Sequence, residues 1–94
     1  MPTVVLAPSL VRYLPCPAPG SRSRRVEGRT VREAIEAVLV EVPVLRGYLL
    51  DEHGAMRHHI AAFVNGVVIR DKVGLAEPIP GDGELFLVPA LSGG

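Results

Sequence analysis

Leu85-Phe86-Leu87-Val88-Pro89-Ala90-Leu91-Ser92-Gly93-Gly94 joins two stretches of opposite physical character. Leu85 to Val88 is an apolar run of strand length, suited to the interior of a sheet. Gly93 and Gly94 are suited to the reverse. Without a Cβ they lose much backbone entropy on ordering and contribute no apolar surface in return. A backbone free of side chains can, however, enter a slot too narrow for any other residue and present a terminal carboxylate there. The stretch reads as the last strand of a domain spanning 1–88, followed by a flexible arm, 89–94. The plainer reading is a small-residue tail without a role.

Working back from this stretch, Gly81-Asp82-Gly83-Glu84 forms the turn that feeds the strand, and Asp71 to Pro80 is a connection with room for a single helical turn. Asn65-Gly66 ahead of Val67-Val68-Ile69 is a hairpin signal, because both turn positions need positive φ. The partner strand runs over Arg57 to Val64. His58 and His59 would then point to opposite faces and could not share a metal. With His53 on the Asp51–Ala55 turn, no metal site is expected.

The helix is the clearest local element. Thr30 with Glu33 three residues later is a capping box, and Val31, Ala34, Ile35, Val38, Leu39 and Val42 recur at helical spacing until Pro43 ends the run. Such a stripe covers a sheet. Val44 to Leu50 reads as an irregular packing segment. Thr3 to Ala7 is β-branched and apolar between two prolines, a first strand. A short second strand around Arg25-Val26-Glu27 makes a hairpin with it. Between them Pro15, Pro17, Pro19 and Gly20 forbid helix or central strand. Cys16 in that loop has no neighbouring base to lower its pKa and reads as an inert thiol.

Composition narrows the function. Ninety-four residues make one domain with one modest core. Ten basic residues balance ten acidic ones, which argues against nucleic acid, since a duplex binder carries a basic face. A single cysteine excludes an internal disulfide and fits a reducing cytoplasm. No export signal and no run long enough to span a bilayer can be read. Nor is there a Ser-His-Asp set, a phosphate loop or a useful carboxylate pair, so no enzyme is expected.

Phe63-Val64-Asn65-Gly66, Gly74-Leu75 and Gly81-Asp82-Gly83-Glu84, leading into Leu85 through Gly94, resemble the MoaD/ThiS family of ubiquitin-like sulfur carriers. The segment from Leu49 through Asn65 is most similar to stand-alone carriers of the cysteine-synthesis type. One departure stands out: the family usually enters its last strand on Asp-Gly-Asp, and this chain has Gly81-Asp82-Gly83. Strand, strand, helix, strand, strand, strand admits several α+β folds. The resemblance selects the β-grasp (ubiquitin-like) fold, a mixed sheet of four to five strands on one main helix, with the last strand central beside the first.

The resemblance also implies a chemistry. An α-carboxyl is ionised at neutral pH and resists nucleophiles, so a ubiquitin-activating-type enzyme would use ATP to convert Gly94 to an acyl-adenylate. A sulfur donor would then displace AMP and leave a thiocarboxylate. Gly94 is the reacting residue and Gly93 its slender support. The chain binds no cofactor itself, and ATP belongs to the adenylating partner. A sulfur-accepting biosynthetic enzyme is the second partner, with PLP-dependent cysteine synthase-like proteins among the candidates. Two other readings share the fold: a modifier joined through Gly94 to lysines of target proteins, and a non-covalent β-grasp interaction module. Strand alternation adds a docking surface. If Ile60, Ala62, Leu85 and Leu87 face the helix, then Phe63, Phe86 and Val88 face away and form an exposed apolar patch at the root of the tail. Leu91 and Ser92 continue the surface a partner would grip.

Overall fold

The computed structural model describes residues 1–7, 10 and 23–89. The proline-rich loop with Cys16, and Leu91, Ser92, Gly93 and Gly94, lie outside the described residues. The elements are β1 (Thr3–Leu6), β2 (Ser23–Arg25), α1 (Val31–Glu41), a 3₁₀ turn (Pro43–Leu45), α2 (Arg46–Leu49), β3 (Ile60–Val64), β4 (Val67–Val68) and β5 (Glu84–Pro89). The sheet order is β2-β1-β5-β3-β4, with β5 parallel to β1 and antiparallel to β3. This is the β-grasp architecture, a mixed five-stranded sheet covered by the main helix.

The alternation read from the strands holds in the register. Val4, Leu6, Ile60, Ala62, Leu85 and Leu87 are fully buried and meet Val31, Ala34, Ile35, Val38 and Leu39 of α1 in one core. No polar or charged residue is buried among the described residues, so the core is held by apolar burial alone. The capping box forms: Thr30 Oγ1 accepts from the Glu33 amide at 3.2 Å. The Glu33 carboxylate accepts from the Arg29 amide at 2.8 Å, one residue ahead of the cap. The next orphan donors of the helix are satisfied from elsewhere in the chain. Val31 N–H donates to the Glu77 carbonyl and Arg32 N–H to the Leu75 carbonyl, both at 2.9 Å, so the connection between β4 and β5 caps the helix from outside.

Four local readings are corrected. The second strand is Ser23–Arg25, two residues earlier than expected, because Thr3 pairs with Arg25 and the buried Val26 donates instead to the Pro2 carbonyl at 3.0 Å. The segment 44–50 is ordered as a 3₁₀ turn and a four-residue helix, and it buries Leu45, Leu49 and Leu50. β3 begins at Ile60 rather than Arg57. Arg57 N–H is taken by the Leu49 carbonyl at 3.0 Å and the Ile60 amide donates to the Arg57 carbonyl at 3.1 Å, which folds His58 and His59 into a turn. The hairpin's returning strand is Val67–Val68, with Ile69 buried beyond it.

The hairpin turn has the expected left-handed geometry, φ 49° at Asn65 and 86° at Gly66. Asn65 also explains the departure at Gly81-Asp82-Gly83. Its side-chain oxygen accepts from the Glu84 amide at 2.8 Å. A Cβ on Gly83 would lie 3.1 Å from that same oxygen and 2.8 Å from the Pro80 carbonyl. Glycine at 83 lets the entry to β5 close against the hairpin.

Lys72 to Gly74 forms the turn of the β4–β5 connection, held by Asp71. Asp71 Oδ1 accepts from the Gly74 amide at 2.7 Å and Oδ2 from the Ala76 amide at 3.4 Å. These bonds, first that of Gly74 and then that of Ala76, hold the Asp71 carboxyl below its ordinary pKa. A group with a depressed folded pKa contributes stability at pH values above its unfolded pKa near 4, and that contribution is lost as pH falls through the lower folded value. Acid denaturation of Asp71→Asn should therefore be less steep below pH of about 4 than that of the parent. Equal acid slopes in circular-dichroism titrations would remove Asp71 from this role.

Candidate functional site

β5 is the strand that precedes the tail in sequence; it is paired on both sides as far as Leu87 and by β3 alone over Val88 and Pro89. Leu87 pairs with Leu6, and beyond that pair the Ala7 amide donates to the Leu87 carbonyl at 2.9 Å. On the other side Pro89 is the partner of Ile60. A central strand so paired transmits little strain from a pulled tail to the core, because local opening would have to break ladders on both flanks.

On the face opposite α1 the register lines up an apolar row across four strands. Val5 of β1 pairs with Phe86 of β5, Phe86 with Phe63 of β3, and Phe63 with Val68 of β4. Val88 lies toward the tail, opposite Ala61. Phe63, Phe86 and Val88, expected together from alternation, are thus adjacent in the sheet. They are half-buried rather than exposed, because each ring has a cross-strand neighbour and the row covers part of itself. Val67 and Val68 at the sheet edge are 70% and 51% exposed. Val5 and Val68 belong to the row, although alternation within each strand does not single them out. Their membership requires the β1–β5 and β3–β4 registers, which no local spacing states. The row is bounded on the side away from the tail by Thr3, Arg25 and Glu84, which pair across β1, β2 and β5.

No protein-family model matches the chain, and no curated protein matches it. Solved structures do. SAMP1 from Haloferax volcanii is 28% identical over 99% of this chain and 98% of that one, with a TM-score of 0.78. A chain in the crystal structure of the Amycolatopsis orientalis BexX/CysO complex is 26% identical over 100% of both chains, with a TM-score of 0.80. CysO of Mycobacterium tuberculosis, an antigen, is a likeness of fold, with 22% identity over 97% of this chain and 100% of that chain and a TM-score of 0.79. The chain has the ubiquitin-like β-grasp fold, and it is similar to solved proteins of the MoaD/ThiS type. It stands among ubiquitin-like sulfur carriers and modifiers.

In this β-grasp protein the histidines take other positions than the sequence suggested. His58 and His59 occupy the turn before β3, and the His59 ring meets Tyr48 edge-on, with centroids 5.3 Å apart and planes at 82°. The geometry is that of a packing contact. Among the described residues no group of three or more His, Cys, Asp and Glu side chains is placed to hold a metal. Nor, among them, is any helix long and apolar enough to cross a membrane.

Proposed function

We propose that this chain is a sulfur carrier whose Gly94 carboxylate is adenylated by an ATP-dependent activating enzyme and converted to a thiocarboxylate that donates sulfur in biosynthesis. The observation that carries the reading is the placement of β5. In sequence the Gly-Gly end follows β5, a central strand paired with β1 and β3 that carries Phe86 and Val88 of the apolar row. Enzyme and carrier divide the work. The carrier supplies a rooted, slender carboxylate; ATP and the catalytic groups belong to the activating enzyme, and the chain acts as a protein co-substrate.

Activation is chemically necessary because a carboxylate is a poor electrophile at neutral pH. Adenylation gives it a leaving group. Attack by a sulfur donor forms the C–S bond, expels AMP and leaves an acidic thiocarboxylate whose sulfur is nucleophilic as the anion, as a thiolate is. Phe63, Phe86 and Val88 form the docking face for the activating enzyme, and Leu91, Ser92 and Gly93 pass along its slot. The resemblance to a chain of a complex named for CysO and BexX supports a biosynthetic enzyme as the sulfur-accepting partner. A PLP-dependent cysteine synthase-like enzyme is one such acceptor, and a cytoplasmic setting follows from the need for ATP.

A second reading is favoured by the likeness to small archaeal modifier protein 1 of H. volcanii, 26% identical with a TM-score of 0.76. The same activated Gly94 would be passed to lysine amines of target proteins. Intact-mass measurement of the protein purified from its own cells separates the two. A sulfur-for-oxygen gain at the C-terminus supports the carrier, and lysine-branched adducts support the modifier. Finding neither product would favour a non-covalent interaction module.

A further inference from the structure

Lys72 is the only lysine in the chain among ten basic residues; the rest are arginines. The distinction is chemical. A guanidinium stays protonated and is no acyl acceptor, whereas an ε-amine, once deprotonated, attacks an activated carboxyl and forms a stable amide. Any activated Gly94 of this protein that meets a second copy therefore finds one side-chain amine there. The α-amine at Met1, the other amine, is ion-paired to Asp82 at 3.1 Å.

The fold presents that acceptor. Lys72 opens the turn 72–74 and lines an open groove of about 910 Å³ together with Met56, Arg57, His58 and His59. Its backbone is held firmly: the Lys72 carbonyl accepts from the Met56 amide at 2.7 Å, and Arg32 of α1 donates to the carbonyls of Val73 at 3.0 Å and Gly74 at 3.1 Å. Among the described residues no side chain makes an ion pair or hydrogen bond with Lys72 Nζ. Arg32 also fixes the side of the molecule. The turn is bonded to the helix layer, whereas Val5, Phe86, Phe63 and Val68 line the opposite face of the sheet.

We infer that Lys72 is the site at which one copy of this protein is acylated by the activated Gly94 of another. In the step, Lys72 Nζ attacks the Gly94 carbonyl carbon and the N–C bond forms. The bond from that carbon to the adenylate oxygen breaks, AMP departs, and the nitrogen releases one proton to water. Each copy has one donor end and one acceptor, so successive steps give linear, singly linked chains. Because Lys72 lies on the helix side, an acylated copy keeps its sheet face free and can still dock.

The inference rests on the proposed function only in requiring an activated Gly94. The test supplies that activation chemically, so the two stand or fall separately. The full chain is prepared as a C-terminal aryl thioester by intein cleavage and incubated at mildly alkaline pH over a range of protein concentrations. Hydroxylamine then removes any thioester formed with Cys16. Intact mass and tryptic mapping are expected to show concentration-dependent dimers linked at Lys72. Trypsin leaves the branch as residues 73–94, since no lysine or arginine occurs after Lys72. Lys72→Arg, which keeps the charge and the backbone bonds, is expected to lose these dimers. Dimers that persist in Lys72→Arg, linkage at the Met1 amine, ring closure within one copy, or hydrolysis as the only product would each overturn the assignment.

Discussion

Deleting Gly94, or replacing Gly93 with phenylalanine, is expected to abolish adenylation by the activating enzyme while leaving the stability of the domain within about 0.5 kcal/mol of the parent. The two readouts separate because they depend on different parts of the chain. The fold is held by the core of α1 and the sheet, in which Leu85 and Leu87 are the last fully buried of the described residues. The strand ladder closes at the Ile60–Pro89 pair. In the proposed function the residues beyond Pro89 serve the partner. Removing Gly94 shortens the reach of the carboxylate by one residue, about 3.5 Å, and a displacement of that size is ruinous for an in-line attack on ATP. A Phe ring at 93 obstructs a slot shaped for a bare backbone. ATP–pyrophosphate exchange and thermal melting are the measurements. Exchange that survives either change would remove the diglycine from the chemistry, and a melting temperature lowered by many degrees would make the tail structural.

Phe63→Asp should weaken binding to the activating enzyme by about 2–4 kcal/mol, the scale of an interface hot spot. Phe63 stands between Phe86 and Val68 in the apolar row, so a carboxylate there must either be desolvated under the partner or hold the partner off. The cost to the free protein is smaller. Phe63 is half-buried on the outer face, and its loss removes cross-strand contacts worth about 1 kcal/mol or less each. The neighbouring position gives the contrast. Ala62 is fully buried against the helix, so Ala62→Asp places an unpaired charge in a core without polar partners and is expected to unfold the domain. Calorimetric binding beside chemical denaturation distinguishes the cases. If Phe63→Asp unfolds the protein, or binds its partner as the parent does, the outer face is not the docking surface.

Much of this protein is legible in its sequence because much of it is decided locally. Thr30 and Glu33 cap α1 with their own side chains, Pro43 ends it, and the apolar stripe from Val31 to Val42 names the buried face. Asn65-Gly66 makes its turn because those two residues tolerate positive φ. Alternation along β5 and β3 separates Leu85, Leu87 and Ala62 from Phe86 and Phe63, since a strand turns each successive side chain to the other face.

Other features depend on partners distant in sequence, and there local reading fails. Nothing between Arg57 and Val64 reveals that the Leu49 carbonyl takes the Arg57 amide, yet that bond starts β3 at Ile60 and removes the histidines from the strand. The strand 23–25 is placed by Thr3, far away in the chain. The apolar row exists only because β5 inserts between β1 and β3, bringing Val5, Phe86 and Phe63 side by side. Likewise the side of the molecule that Lys72 occupies is set by Arg32 reaching from α1 to the carbonyls of Val73 and Gly74. Residue type and spacing determined the main helix, the hairpin turn and the alternation of faces within each strand; long-range backbone pairing decided where strands begin and which side chains of different strands lie side by side.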